Sequence, residues 1–301
     1  VDGRGGLATD AEARACLPQL FPQATSPVTV TVRRAPSEED VRSFKKELAA
    51  AFCRAPRRRA PGPGGSRGEH WSWMPKLAEA WLPLEDVLTR LALGKVPQAV
   101  GAAVHSARVL ALARSEPGKV RPLALGLHLR RCVSKAIAKV FQSRVAAAVA
   151  PVEHSIGGKN RGAEGMHRLV LVDLDARGDV VKHSFDVSHA HNEFDRQAAL
   201  DEVAGQVPDL LPWTESGFTV EATHVYSCSD GSQLLLPKTR GGDQGDALVS
   251  LVFPLLYRRA SKAAGDAARA HDVSAREYSY QDDLELVCKL EALLPAEAAL
   301  Q

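Results

Sequence analysis

The sequence predicts an α/β (α+β) fold in which an antiparallel sheet is backed by helices. Apolar residues recur at helical spacing through residues 129–149, with Val133, Ile137, Val140 and Phe141 on one face, and again from 248 to 264. β-Like runs occupy residues 169–173 (Leu-Val-Leu-Val-Asp) and 180–187. Two shorter runs, 277–280 and 284–287, flank a bend formed by Gln281, Asp282 and Asp283.

Residues 1–50 are mixed. A β-branched run at 28–32 precedes a helix expected to start at Ser37, with Glu38, Glu39 and Asp40 in the first turn, where the helix dipole favours negative charge. Residues 54–68 are basic and rich in Pro and Gly, which predicts a loop. Its Arg57, Arg58 and Arg59 read as a flexible basic linker in preference to a nucleic-acid contact. From 74 to about 114 the pattern is helical, and 118–125 reads as a turn into a strand interrupted by Pro122. A further helix is expected over 192–207, and Gly241, Gly242 and Gly245 form a loop before the helix at 248. The chain opens on Val1 and closes at Gln301 within an apolar-periodic stretch (Leu290, Leu293, Leu294, Leu300), so it is expected to be a fragment.

With 45% hydrophobic and 25% charged residues in 301, the composition is that of a globular protein with a sizeable core. No apolar run approaches the ~20 residues of a membrane span, and no charged-then-apolar leader opens the chain. The five cysteines, Cys16, Cys53, Cys132, Cys228 and Cys288, form no close pair of the zinc-knuckle or redox kind, and a reducing compartment is expected. His183, His189 and His191 share one face of an extended run but lack neighbouring ligands, so zinc is not expected there. The net charge of +2 hides an asymmetry. Lys and Arg outnumber Asp and Glu by 17 to 5 over residues 51–150, and are outnumbered 14 to 24 over 151–301. A basic middle suits phosphate backbones and an acidic remainder suits metal-binding carboxylates; a chance division between solvated faces fits the counts equally.

Asp186 ends an apolar run, and Asp282 and Asp283 sit at a tight bend 96 residues later. Strand-end carboxylates drawn from distant segments are what two-metal phosphoryl transfer needs, because two Mg²⁺ about 4 Å apart must be held by hard oxygen ligands. Adjacent aspartates in a turn are also ordinary solvated turn formers.

Four segments in one order weigh for the first alternative. Gly118-Lys119-Val120-Arg121-Pro122-Leu123-Ala124-Leu125 is followed by Leu129-Arg130-Arg131. Then come Phe185-Asp186-Val187-Ser188-His189-Ala190-His191-Asn192, Arg240-Gly241-Gly242-Asp243-Gln244-Gly245-Asp246-Ala247-Leu248, and Tyr280-Gln281-Asp282-Asp283. Together they resemble the fingers block and the successive palm motifs of the reverse transcriptases of non-LTR (LINE-like) retrotransposons. Weaker echoes lie at Ala60-Pro61-Gly62-Pro63-Gly64-Gly65 and at 157–164, so the resemblance spans about residues 60–288.

The resemblance implies a right-hand polymerase palm, an antiparallel sheet backed by helices, with interleaved fingers and no thumb. It divides the chain into an N-terminal extension (1–58, partly helical), fingers (59–165) and palm (166–301). It further implies an RNA-directed DNA polymerase working on an RNA template, a DNA primer and deoxynucleoside triphosphates, in an intracellular setting, nuclear or cytoplasmic. Asp186, Asp282 and Asp283 would be catalytic and, with the Val187 carbonyl, would hold two Mg²⁺, or Mn²⁺ in their place. Arg121, Lys119, His191, Gln244 and Gly245 would bind nucleotide, and Arg130 and Tyr280 would touch nucleic acid. The sequence departs from the family at His191, where an aromatic usually excludes a ribose 2′-OH, at Ala247 in place of Pro, and at Asp243, a negative charge facing the phosphates. Two rivals remain at this point: a decayed or repurposed copy that binds nucleic acid without catalysis, and an unrelated metal-dependent phosphohydrolase.

Overall fold

The computed structural model describes residues 6–30, 34–116, 118–156, 162–187 and 190–300. The expectations at residues 31 and 32, 157–161 and His189 lie outside the described residues.

Within these residues the chain is a mixed α and β protein. Helix α1 (Asp10–Cys16) opens on a capping box in which Thr9 and Glu12 satisfy each other's backbone N–H groups. Residues 28–30 form no strand. Helix α2 (Glu38–Cys53) starts where Ser37 Oγ accepts from the Asp40 N–H, and its Phe44, Leu48 and Phe52 are fully buried at four-residue spacing. A short α3 (Gly68–Trp71) follows the basic loop, then α4 (Ala78–Ala92) and α5 (Gln98–His105).

The helical expectation for 74–114 fails at its end. Ala107–Ala113 is strand β1, paired antiparallel with β2 (Val120–Gly126) from Ala107↔Gly126 to Ala113↔Val120. Its Ala and Leu residues are good helix formers, and long-range pairing overrides that preference. Pro122 is tolerated because β2 lies at the sheet edge.

Helix α6 (His128–Val149) buries Val133, Ile137, Phe141, Val145 and Val149 in one stripe against α2 and α11. The Leu-Val-Leu-Val-Asp run, read as β-like, lies instead inside helix α7 (Ala163–Ala176). There Met166, Val170 and Asp173 face inward while Leu169, Leu171 and Val172 are exposed, a helical division that a short continuous apolar run does not reveal. Strand β3 (Val181–Asp186) leads to α8 (Ala190–Glu193) and α9 (Arg196–Gln206), one expected helix split where Asp195 caps the second piece through the Ala198 N–H.

Helix α10 (Leu211–Thr219) presents Trp213, fully buried against Phe44 at 4.8 Å and Phe141 at 6.2 Å between ring centroids. A hairpin of β4 (Ala222–Ser227) and β5 (Gln233–Lys238) follows, then the long α11 (Ala247–Arg269), the hairpin β6 (Arg276–Tyr280) and β7 (Asp283–Cys288), and α12 (Leu293–Ala298).

The strands form two sheets. One has the order β2-β1-β4-β5, with β1 and β4 parallel and the other neighbours antiparallel; the second is β3-β7-β6, antiparallel throughout. The first sheet joins residues 107–126 to 222–238, and the main core runs from Phe44 to Ala296. A division of the chain at 165/166 therefore cuts through both a sheet and the core. No helix among the described residues is long and apolar enough to cross a membrane.

Candidate active site

The β3-β7-β6 sheet places the three aspartates at one end. Asp186, the last residue of β3, is the register partner of Asp283, the first residue of β7, so their side chains stand on the same face of neighbouring strands. Tyr280 pairs with Asp283 across the β6–β7 hairpin, leaving Gln281 and Asp282 as the two turn residues. Gln281 takes the left-handed conformation (φ +58°) that a tight hairpin demands.

That strained turn is held from below. The Glu153 carboxylate, buried among polar donors, accepts from the Ser155 N–H at 2.6 Å, the Ser279 hydroxyl at 2.8 Å and the Gln281 N–H at 3.4 Å. Burial nevertheless pushes its pKa up. The Gln281 amide donates to Ser155 Oγ (2.6 Å) and to the Ser250 carbonyl (3.1 Å), and its oxygen lies 3.3 Å from His191 Nε2. His191 stacks on Phe253 with ring centroids 4.8 Å apart, and its Nδ1 lies 3.9 Å from an Asp282 oxygen.

Among the described residues, no lysine or arginine forms an ion pair with Asp186, Asp282 or Asp283. Burial and then the neighbouring Asp282 and Asp186 push the Asp283 carboxyl above its usual range. The nearby Tyr257 hydroxyl, buried and without a hydrogen-bond partner among the described residues, is pushed up by burial and then by the same three aspartates. The three are hard oxygen donors with uncompensated charge, the kind of set that Mg²⁺ takes. No group of three His, Cys, Asp or Glu side chains that could hold a metal ion is found among the described residues.

A cleft of ≈ 420 Å³ is lined by two of these carboxylates, Asp186 and Asp282; Asp283 is not in its wall. Asp186, Val187, His191, Gln244 and Asp282 line it together with Lys119, Val120 and Arg121 at and just before the start of β2. Arg121 is exposed and has no ion pair among the described residues, whereas Lys119 is engaged by Glu116. Gly245 (φ +87°) lets the loop turn beside Gln244 but is not itself in the cleft wall. Cys16, Gln19 and Leu20, from a region where the sequence offered no chemical signal, complete the rim.

Two expected contacts lie elsewhere. Arg130 is turned inward, donating to Asp243 at 2.9 Å and Asp246 at 2.5 Å, so it does not present its guanidinium to a nucleic-acid backbone. Asp243 is correspondingly no repulsive charge in the cleft. It is buried, and although burial opposes ionisation, His224, Arg130 and Lys238 hold its carboxyl well below the usual range. Tyr280, the register partner of Asp283, packs with Met166, Val170 and Tyr278 and is not among the residues that line the cleft. His183 lies 3.3 Å from Glu297, and Arg57, Arg58 and Arg59 are exposed in their loop.

No family model and no curated protein matches this chain.

Proposed function

We propose that the chain performs template-directed nucleotidyl transfer of the reverse-transcriptase kind, with the β3-β7-β6 sheet as a polymerase palm and the cleft as the nucleotide site. The observation that carries this reading is the register pair Asp186↔Asp283, with Asp282 in the adjoining turn, and a cleft that Asp186 and Asp282 line together with Lys119 and Arg121. The order of the motifs along the sequence supports it independently.

In this reading Asp186, Asp282 and Asp283, with the Val187 carbonyl, would hold two Mg²⁺, or Mn²⁺ in their place, and the chemistry so supplied would be a lowered pKa at the primer hydroxyl and charge neutralisation at the leaving pyrophosphate. Arg121 offers its planar fork to the triphosphate, and Lys119 joins it by exchanging Glu116 for a phosphate oxygen. The loop of Gln244 and Gly245 bounds the base and sugar. His191, fixed by its stack on Phe253 and its contact with Gln281, bounds the ribose. RNA template and DNA primer are the partners, and the protein would act inside the cell, where both are found.

One observation favours a second reading, a repurposed copy that binds nucleic acid without catalysis: the His191 ring stands beside Asp282. The test is extension of a DNA primer on an RNA template with Mg²⁺, compared with Asp186→Asn. Extension that disappears in the variant supports the polymerase. Primer-template binding without extension supports the second reading, and release of phosphate from nucleotide without a template points to a phosphohydrolase.

A further inference from the structure

The Gly241–Asp246 loop that brings Gln244 into the cleft is gripped on both sides of that residue by buried charged and imidazole groups. Before Gln244, Arg196 Nε donates to the Gly241 carbonyl (2.8 Å) and Lys238 Nζ to the Gly242 carbonyl (3.1 Å). Asp243 accepts from His224 Nε2 on one oxygen (2.7 Å) and from Arg130 on the other (2.9 Å). After it, Asp246 takes the second nitrogen of the Arg130 guanidinium (2.5 Å) and caps α11 through the Leu248 N–H (3.0 Å). Only Gln244 and Gly245 are left outside the grip, and Gln244 alone of the two lines the cleft.

The proton on His224 is fixed by the backbone. The Ala107 N–H donates to Nδ1 (3.1 Å), which must therefore be the acceptor, so Nε2 carries the hydrogen that Asp243 receives. That imidazole sits on β4 and is tied to the first residue of β1, while Arg130 belongs to α6. The grip thus references the loop to the four-stranded sheet and to the central helix at once. Its other side bears on the cleft: the Gly241 N–H donates to the Phe194 carbonyl (2.9 Å) and the Gly242 N–H to the His191 carbonyl (2.7 Å).

We infer that His224, Asp243 and Arg130 are positioning residues that set where Gln244 meets the incoming nucleotide. None of the three touches the cleft. They act by clamping the loop so that its tip is presented without having to be ordered when substrate arrives. The inference rests on the nucleotide-cleft reading above, and it commits to the base or sugar of a nucleoside triphosphate as what Gln244 meets.

The test uses the full chain and two readouts. Hydrogen exchange on the protein without substrate follows the amides of Gly241, Gly242 and Asp246, all hydrogen-bonded within the clamp region. His224→Leu should speed their exchange by roughly 10- to 100-fold, since a buried charged acceptor loses a donor, while Leu284 and Leu286 of β7 stay protected. His224→Gln, whose amide can both accept from Ala107 and donate to Asp243, should restore most of the protection. In the second readout, steady-state incorporation, His224→Leu should raise KM for the nucleotide far more than it lowers kcat. Combined with Gln244→Ala it should add nothing further, because both changes remove one contact. Unchanged exchange at the three amides, or exchange that rises equally in β7, overturns the clamp whatever the activity. A strictly additive double variant overturns its link to Gln244. A wild-type chain whose loop behaves as described but which binds no nucleotide overturns the functional reading and the role of the clamp with it.

Discussion

Replacing Gly241 by alanine tests the close approach between α8 and the loop that carries Gln244. Gly241 has φ +54°, and a Cβ there would fall inside contact distance of the Asn192 carbonyl, with the His191 oxygen at 2.6 Å. The left-handed conformation costs a non-glycine residue about 1–2 kcal/mol. The collision is with backbone, which cannot swing aside, and overpacking of this kind costs about 1–3 kcal/mol more. Gly241→Ala should therefore lose about 2–5 kcal/mol in urea unfolding at an unchanged m-value. The control lies in the same loop: Gly245 has φ +87° and nothing within 4 Å of a Cβ, so Gly245→Ala should lose only the conformational part, about 1–2 kcal/mol. Equal losses for the two variants would refute the claim that α8 is pressed against the Gly241–Gly242 turn.

Other changes have definite expected outcomes. Arg130→Met leaves Asp243 and Asp246 buried without their guanidinium and should cost about 3–5 kcal/mol in the same unfolding assay. Asp283→Asn removes a like charge opposite Asp186 and should raise metal-free stability by about 0.2–1 kcal/mol, while removing any stabilisation that Mg²⁺ confers in a melting experiment. His128 is buried, and burial, then Arg131 and Lys135, pull its pKa from 6.5 down to about 4. Its contribution is complete above its unfolded pKa and is lost as pH falls from 6.5 towards 4, by at most about 3 kcal/mol less what solvent screening removes. His128→Gln should flatten the stability curve across that window, and an unchanged acid limb would count against the shift.

The parts of the fold that were legible in the sequence are those written locally. Ser37 with its acidic first turn marks α2, the Val133–Ile137–Phe141 stripe marks α6, and the short runs around Gln281 and Asp282 mark the β6–β7 hairpin. The hairpin of β4 and β5 has a local signal in Asp230-Gly231 between two strand-like runs, with Gly231 at φ +83°. Strand β1 was not readable, because Ala-Arg-Val-Leu-Ala-Leu-Ala favours helix until β2 and β4 pair with it. The site divides in the same way. Asp186, Asp282 and Gln244 stand out as motifs and line one cleft, whereas the inward turn of Arg130 depends on Asp243 and Asp246, more than a hundred residues away in sequence. The Cys16–Leu20 rim had no local signature, since only tertiary packing brings it to the cleft.

The central claim is that a template dictates what the Asp186–Asp283 site adds to a primer. The most direct measurement offers the protein, with Mg²⁺, a primed RNA whose first unpaired base is varied through all four identities, and records which deoxynucleotide is added. The added nucleotide should follow the complement of the template base each time, and Asp186→Asn should abolish addition on every template. Addition that ignores the template base, or that survives in Asp186→Asn, would contradict that claim.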